Sequence, residues 1–191
     1  MKSKQDLRKQ LILARRSISP ESIFRKSRHI QALLFSIEAY QYAGCVGFYV
    51  SSGHEVETHA MINDCFSMGK RVVVPKCGKK EGEMTLCEIN SFDDLLPGAY
   101  GILEPCDPVH GIALDEIDVL IVPGVGFDRE GRRLGQGGGY YDKLLSSTHD
   151  FVVVGLAFSV QIVDKIPAES HDMVVDIIVT ENQVINCKKE F

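Results

Sequence analysis

The run Val119-Leu120-Ile121-Val122, entered through Ile117, constrains this chain more than any other stretch. It is apolar at every position and rich in β-branched residues, with none of the alternation that a sheet face open to water imposes. A strand of that kind is covered on both faces, which points to a largely parallel sheet with helices as crossovers. The rest of the sequence supplies those parts. Lys2 to Arg16 carries Leu7, Leu11 and Ala14 on one face and basic residues elsewhere, the pattern of an amphipathic helix. Ser19-Pro20-Glu21 reads as an N-cap, a first-turn proline and an acid near the positive helix end, opening a second helix that runs to about Ser36. Gly44 to Val50 is a short buried strand, Thr58 to Met68 a helix ended by Gly69, and Arg71 to Pro75 the next strand.

Further along, Lys79 to Glu83 looks like a hairpin tip and Met84 to Ile89 alternates as a strand. After Ile117–Val122 come a helix at Tyr140 to Ser146 and strands at Phe151 to Leu156 and Val174 to Val179. Strands and helices alternate throughout, so the expected architecture is α/β: a three-layer, Rossmann-like single domain over residues 1–191, with a mostly parallel central sheet flanked by helices. No linker, low-complexity segment or internal repeat interrupts it.

Composition narrows the function. A formal charge of -5 argues against a general nucleic-acid binder. The longest apolar runs are far too short to cross a bilayer, and no secretory leader is visible, so a cytoplasmic location is expected. The six cysteines, Cys45, Cys65, Cys77, Cys87, Cys106 and Cys187, are scattered with no C-x-x-C among them and read as reduced thiols, three of them as small core residues. Neither cysteines nor histidines fall at zinc-ligand spacing, and His54, His59, His110, His149 and His171 receive no role.

Chemistry concentrates in the loop after Val122, because open parallel sheets bind ligands beyond the carboxyl ends of their strands. Four of the five positions from Gly135 to Gly139 are glycine, in the stretch Arg133-Leu134-Gly135-Gln136-Gly137-Gly138-Gly139-Tyr140-Tyr141-Asp142. Such a loop can turn backbone N–H groups toward an anion, with a helix start behind it. Arg133 can fork onto phosphate oxygens, and Asp142 can hold a magnesium ion bridging them. The stretch matches neither G-x-x-x-x-G-K-[ST] nor G-x-G-x-x-G, and no G-x-S-x-G occurs. Pattern alone ends at an anion-binding α/β enzyme.

This stretch, with Pro123-Gly124 and Phe127-Asp128 before it, resembles the signature of the 5-formyltetrahydrofolate cyclo-ligase (methenyltetrahydrofolate synthetase) family. Lys4 and Arg8, then Glu55-Val56-Glu57-Thr58 with Gly69-Lys70 and Pro75, then His171-Asp172-Met173 with Val175-Asp176 and Thr180-Glu181, extend the likeness in order along nearly the whole chain. Gln136 departs from the tyrosine or arginine often found at its position. The resemblance implies an ATP-dependent closure of 5-formyltetrahydrofolate, with or without a polyglutamate tail, to 5,10-methenyltetrahydrofolate. It implies ATP contacts from Lys4, Arg8 and the residues Arg133, Leu134, Gly135, Gln136, Gly137, Gly138, Gly139, Tyr140 and Tyr141. It implies folate contacts from Ser52, Glu57, Gly137, Gly138, Gly139, Tyr140 and Tyr141, magnesium (Mg2+) on Asp142 and Asp172, catalytic roles for Arg133 and Tyr140, and a monomer that uses neither nucleic acid nor membrane. Two other functions stay open at this level: a sugar-phosphate isomerase on a similar frame, and a nucleotide- or folate-binding module without catalysis.

Overall fold

The computed structural model describes residues 3–78, 80, 82–98, 101–106, 111–147, 150–169 and 172–187. In chain order the elements are α1 (Lys4–Arg16), α2 (Pro20–Phe35), α3 (Glu38–Tyr42), β1 (Cys45–Gly47), α4 (His59–Ser67), β2 (Arg71–Cys77), β3 (Met84–Ile89), β4 (Leu95–Pro97) and β5 (Leu103–Pro105). They continue with β6 (Val119–Val122), β7 (Gly126–Asp128), β8 (Arg133–Leu134), α5 (Tyr140–Leu145), β9 (Val152–Leu156), β10 (Ile162–Val163), β11 (Ile177–Val179) and β12 (Val184–Asn186). The expected hairpin tip falls partly on Lys79 and Glu81, and the histidines His110, His149 and His171 fall wholly, outside the described residues.

Among the described residues, seven strands form the main sheet in the order β12-β11-β9-β6-β1-β2-β3. The inner neighbours β11, β9, β6, β1 and β2 run parallel, and only the edge strands β12 and β3 pair antiparallel. The burial explains the sequence pattern. Val72 and Val74 of β2, and Val119 and Ile121 of β6, face a cluster built with Ile30 and Leu34 of α2, Tyr40 of α3, and Met61, Ile62 and Cys65 of α4. Their neighbours Val73, Leu120 and Val122 face the other way, into a cluster with Phe127, Leu145, Phe151 and Ile185. Both faces exclude water, so neither register can be polar.

The second face is covered by one short helix, α5, and a small sheet of order β10-β7-β8, rather than by a row of long helices. Phe127 on β7 is fully buried there because Gly124 and Gly155 leave room for its ring; a Cβ at either would sit 2.5 Å from it. Helix α1 joins through a third cluster, in which Leu7 and Leu11 pack on Val125, Leu134 and Ile166. Local signals set the helix starts: Ser3 caps α1 by accepting from the Asp6 N–H at 3.1 Å, and Ser19 caps α2 ahead of Pro20. Lys70 reaches back to the carbonyls of Tyr40 (3.1 Å) and Gln41 (3.0 Å), placing a cation at the negative end of α3. All six cysteines are free.

Candidate functional site

The chain runs from β1 to β2 on one side of β1 and returns to β6 on the other, so the strand order reverses between β1 and β6. A crevice opens beyond the carboxyl ends of strands at such a point. Here the two loops that flank it are residues 48–58 after β1 and residues 123–125 after β6. Ser51 and Thr58 close the first loop: the Thr58 N–H donates to Ser51 Oγ and the Ser51 N–H to Thr58 Oγ1, both at 3.0 Å. The buried Thr58 hydroxyl also donates to the Tyr49 carbonyl at 2.7 Å.

Just beyond the second loop, β7 and β8 form a tight hairpin. Buried Asp128 organises its turn, accepting from the Glu130 N–H (3.0 Å), the Arg132 N–H (3.1 Å) and the Ile166 N–H (2.9 Å). The hairpin returns Arg133 to the base of the glycine stretch. One Arg133 Nη donates to Asp142 Oδ1 at 3.0 Å and the other to the Pro123 carbonyl at 3.4 Å, while the guanidinium lies 5.4 Å from the centre of the Tyr141 ring. Its Nε is buried without a hydrogen-bond partner among the described residues.

Helix α1 brings the distant cations. Lys4 Nζ donates to both oxygens of Asp172, at 2.8 and 2.7 Å, and lies 3.0 Å from Glu169 Oε2. Burial pulls the Lys4 ammonium down, but the two carboxylates outweigh it and hold the group above its ordinary range. Arg8 Nε donates to the Gly135 carbonyl at 2.8 Å. The backbone beside Asp172 reaches Asp142, since the Met173 N–H donates to Asp142 Oδ1 at 3.5 Å. Residues 4, 8, 133, 142 and 172, remote in sequence, therefore meet around the glycine stretch.

The remaining expected residues occupy different environments. Gln136, Gly137 and Gly139 are exposed, and Gly138 and Tyr140 are half-buried. Leu134 is a core residue in the α1 cluster, 1% exposed, and its carbonyl accepts from the Val125 N–H at 2.7 Å. Tyr141 packs against the second core cluster, and burial pushes its phenol well up. Ser52 is exposed, and its N–H donates to Glu55 Oε2 at 3.1 Å.

Glu57 is half-buried, and its backbone N–H donates to Ser27 Oγ of α2 at 3.0 Å. It is Glu55 that lines a small recess at the switch point, with Arg15, Tyr49, Pro123, Gly124 and Gln161. Burial pushes the Glu55 carboxyl above its usual range, against the pull of the Ser52 N–H and Arg15. Neither Glu55 nor Arg15 stands out from pattern alone. The available signal was that Arg15 shares a helix face with Lys4 and Arg8, and that Glu55 precedes Glu57 by two.

Cations from α1 and β8 and two carboxylates gather about a glycine loop near the switch point of a parallel sheet, an arrangement of an α/β protein whose chemistry can accept an anionic ligand. The profile of the 5-formyltetrahydrofolate cyclo-ligase family matches residues 1–181. The sequence is 31% identical over 191 residues to a 5-formyltetrahydrofolate cyclo-ligase of Mus musculus, covering 94% of each chain. It is 30% identical over 174 residues to that of Escherichia coli (strain K12), covering 89% of this chain and 96% of the other. The fold superposes on the NMR structure of Aquifex aeolicus 5,10-methenyltetrahydrofolate synthetase with a TM-score of 0.87 and 32% identity, over 98% of this chain and 94% of that one. The chain belongs to the 5-formyltetrahydrofolate cyclo-ligase family.

Proposed function

We propose that this chain, acting as a single-domain cytoplasmic monomer, uses ATP to close 5-formyltetrahydrofolate to 5,10-methenyltetrahydrofolate, releasing ADP and phosphate. Relatives that it covers almost from end to end carry the name of that ligase. The observation that carries the reading is the meeting of Lys4, Arg8 and Arg133 with Asp142 and Asp172 around the glycine stretch.

A formamide carbon is a weak electrophile, and its oxygen leaves poorly. Transfer of the γ-phosphoryl group to the formyl oxygen turns that oxygen into a phosphate leaving group. The folate's own N10 then attacks the formyl carbon, loses its proton, and phosphate departs with the C–O bond. The nucleophile is part of the substrate, so the protein's work is positioning and charge neutralisation. Arg133, oriented in advance by Asp142 and Tyr141, faces the transferring phosphoryl group. Lys4, Arg8 and the backbone from Gly135 to Gly139 hold the rest of the triphosphate, and Tyr140 lies at the junction with the folate.

Glu55, beside the expected Glu57, is a second candidate acceptor for the N–H donors of a pterin, since a carboxylate can take two parallel hydrogen bonds from such an edge. Asp142 and Asp172 would hold magnesium, which when bound supplies positive charge to the phosphate oxygens. The donor set fits that ion. Among the described residues no three His, Cys, Asp or Glu side chains gather to cage a metal, and magnesium takes one or two carboxylates with the rest from substrate and water. Lys4 and Arg133 then pass from these carboxylates to the phosphates.

Purified protein mixed with 5-formyltetrahydrofolate, magnesium and ATP should produce the near-ultraviolet absorbance of methenyltetrahydrofolate, and nothing without ATP. Arg133→Ala should lower kcat by roughly 100-fold or more. Folded protein that yields no product refutes the reading. An isomerase would need no nucleotide, and a mere binding module would keep its function after Asp142→Ala.

A further inference from the structure

Helix α1 lays three cations along one face. Lys4, Arg8 and Arg15 follow spacings of four and seven, which return to the same side of a helix. Each engages a different part of the site: Lys4 the Asp172 carboxylate, Arg8 the Gly135 carbonyl at 2.8 Å, and Arg15 the Gly124 carbonyl at 3.4 Å. With about 1.5 Å of rise per residue, Arg15 lies roughly 16 Å along the axis from Lys4. The two ends of α1 therefore serve different ends of the crevice. Lys4 and Arg8 stand at the glycine stretch, Arg15 at the recess with Glu55 and Tyr49.

Arg15 is 9% exposed, yet it is poorly satisfied for a buried charge. Its Nε has no partner among the described residues, its bond to Gly124 is long, and Glu55 Oε1 stands 3.9 Å away, at the outer edge of an ion pair. An arginine kept only for packing would lose little by becoming apolar, since burying a loosely paired charge is costly. The carbonyl it holds also accepts from Gln161 Nε2 at 2.8 Å, while the preceding carbonyl, Pro123, is held by Arg133. The same turn is thus gripped from the recess side by Arg15 and from the phosphate side by Arg133.

We propose that Arg15 is a positioning residue for the ring-binding half of the site, holding the Glu55 carboxyl group in place while fastening the Pro123–Gly124 turn to the 51–58 loop. The inference rests on the cyclo-ligase reading and assigns Arg15 to the folate end alone. Arg15 acts through Glu55, and the triphosphate end does not depend on it.

Steady-state kinetics of the full chain separate the ends, with the folate varied at saturating ATP and ATP varied at saturating folate. Arg15→Gln keeps a donor for Gly124 but removes the charge, and should raise KM for the folate about tenfold while KM for ATP stays within about twofold. Arg15→Lys restores the charge and should recover most of that loss. Because Arg15 works through Glu55, the double variant Arg15→Gln with Glu55→Gln should be no worse than Glu55→Gln alone. The proposal is overturned if both KM values rise together, if the two losses add, or if Gln and Lys variants behave alike. It is equally overturned if Arg15→Gln fails to fold while Arg15→Lys folds with wild-type kinetics, since the residue would then be structural. Absence of product from the unmodified chain would instead remove the cyclo-ligase reading itself, a result distinct from active enzyme indifferent to residue 15.

Discussion

Gly131 closes the hairpin that delivers Arg133, and replacing it with alanine should be among the most damaging single-methyl changes in the molecule. Its φ of +84° lies where a Cβ is strained, an effect of about 1–2 kcal/mol. The added Cβ would also stand 2.4 Å from the Val175 carbonyl oxygen and 3.0 Å from Cys187 Cβ. The first of these is backbone, tied to the hairpin by the Val175 N–H donating to the Gly131 carbonyl at 2.9 Å, so it cannot swing aside as a side chain would. Forcing it away adds about 1–3 kcal/mol. For a chain of this size each kcal/mol lowers Tm by about 2–4 °C, so a drop on the order of 10 °C follows. Gly69→Ala is the control: φ is +71° and nothing lies within 4 Å of the new Cβ, leaving the backbone term alone. Thermal melts followed by far-UV circular dichroism should put the Gly131 variant well below the Gly69 variant. If the two melt together, the clash with Val175 is not real and the reasoning fails.

Glu181 joins Lys26 of α2 (2.6 Å) to the Ser159 N–H and hydroxyl (both 2.8 Å). Burial would raise its pKa, but the bonds from Lys26 and Ser159 more than reverse this and hold the carboxyl below its usual range. A depressed folded pKa stabilises fully above the unfolded value of about 4.3 and loses that contribution as pH falls through the folded one. Glu181→Gln should therefore melt below wild type at pH 7, with the gap closing as the pH drops below about 4; a gap independent of pH would contradict it. Lys70→Met removes a cation from the last carbonyls of α3, and should lower stability in urea by about 1–2 kcal/mol with turnover unchanged. Asp142→Asn should raise the magnesium concentration needed for half-maximal rate by about tenfold or more while leaving KM for the folate nearly constant. A magnesium titration that superposes on wild type would take Asp142 out of the metal site.

The central sheet was readable because buried parallel strands are apolar at every position, and β2, β3, β6 and β9 lie within their expected ranges or within two residues of them. The small pieces were not. β7, β8, β10 and β12 are two or three residues long, too short to display any period, and α3 is barely more than one turn. The same limit governed the site. Lys4 and Arg8 could be paired because a helix imposes a frame on spacing. Glu55 and Glu57 lie in the loop closed by Ser51 and Thr58, where no helix or strand period fixes which way a side chain points. Asp128 is a similar case: its anchoring of Ile166, and through it the approach to Asp172, exists only once the fold brings residues 128 and 166 together.

Helix α1 leaves the ribosome before the other described elements, yet the groups it clasps are made much later. Lys4 and Asp172 are separated by 168 positions, Arg8 and Gly135 by 127. The parallel pairs β1–β2 and β1–β6 can form while α1 still lacks these partners, so its cations stay in solvent until residues 135 and 172 have emerged. A polypeptide interrupted before residue 172 would possess strands and helices but would lack the carboxylate that holds Lys4.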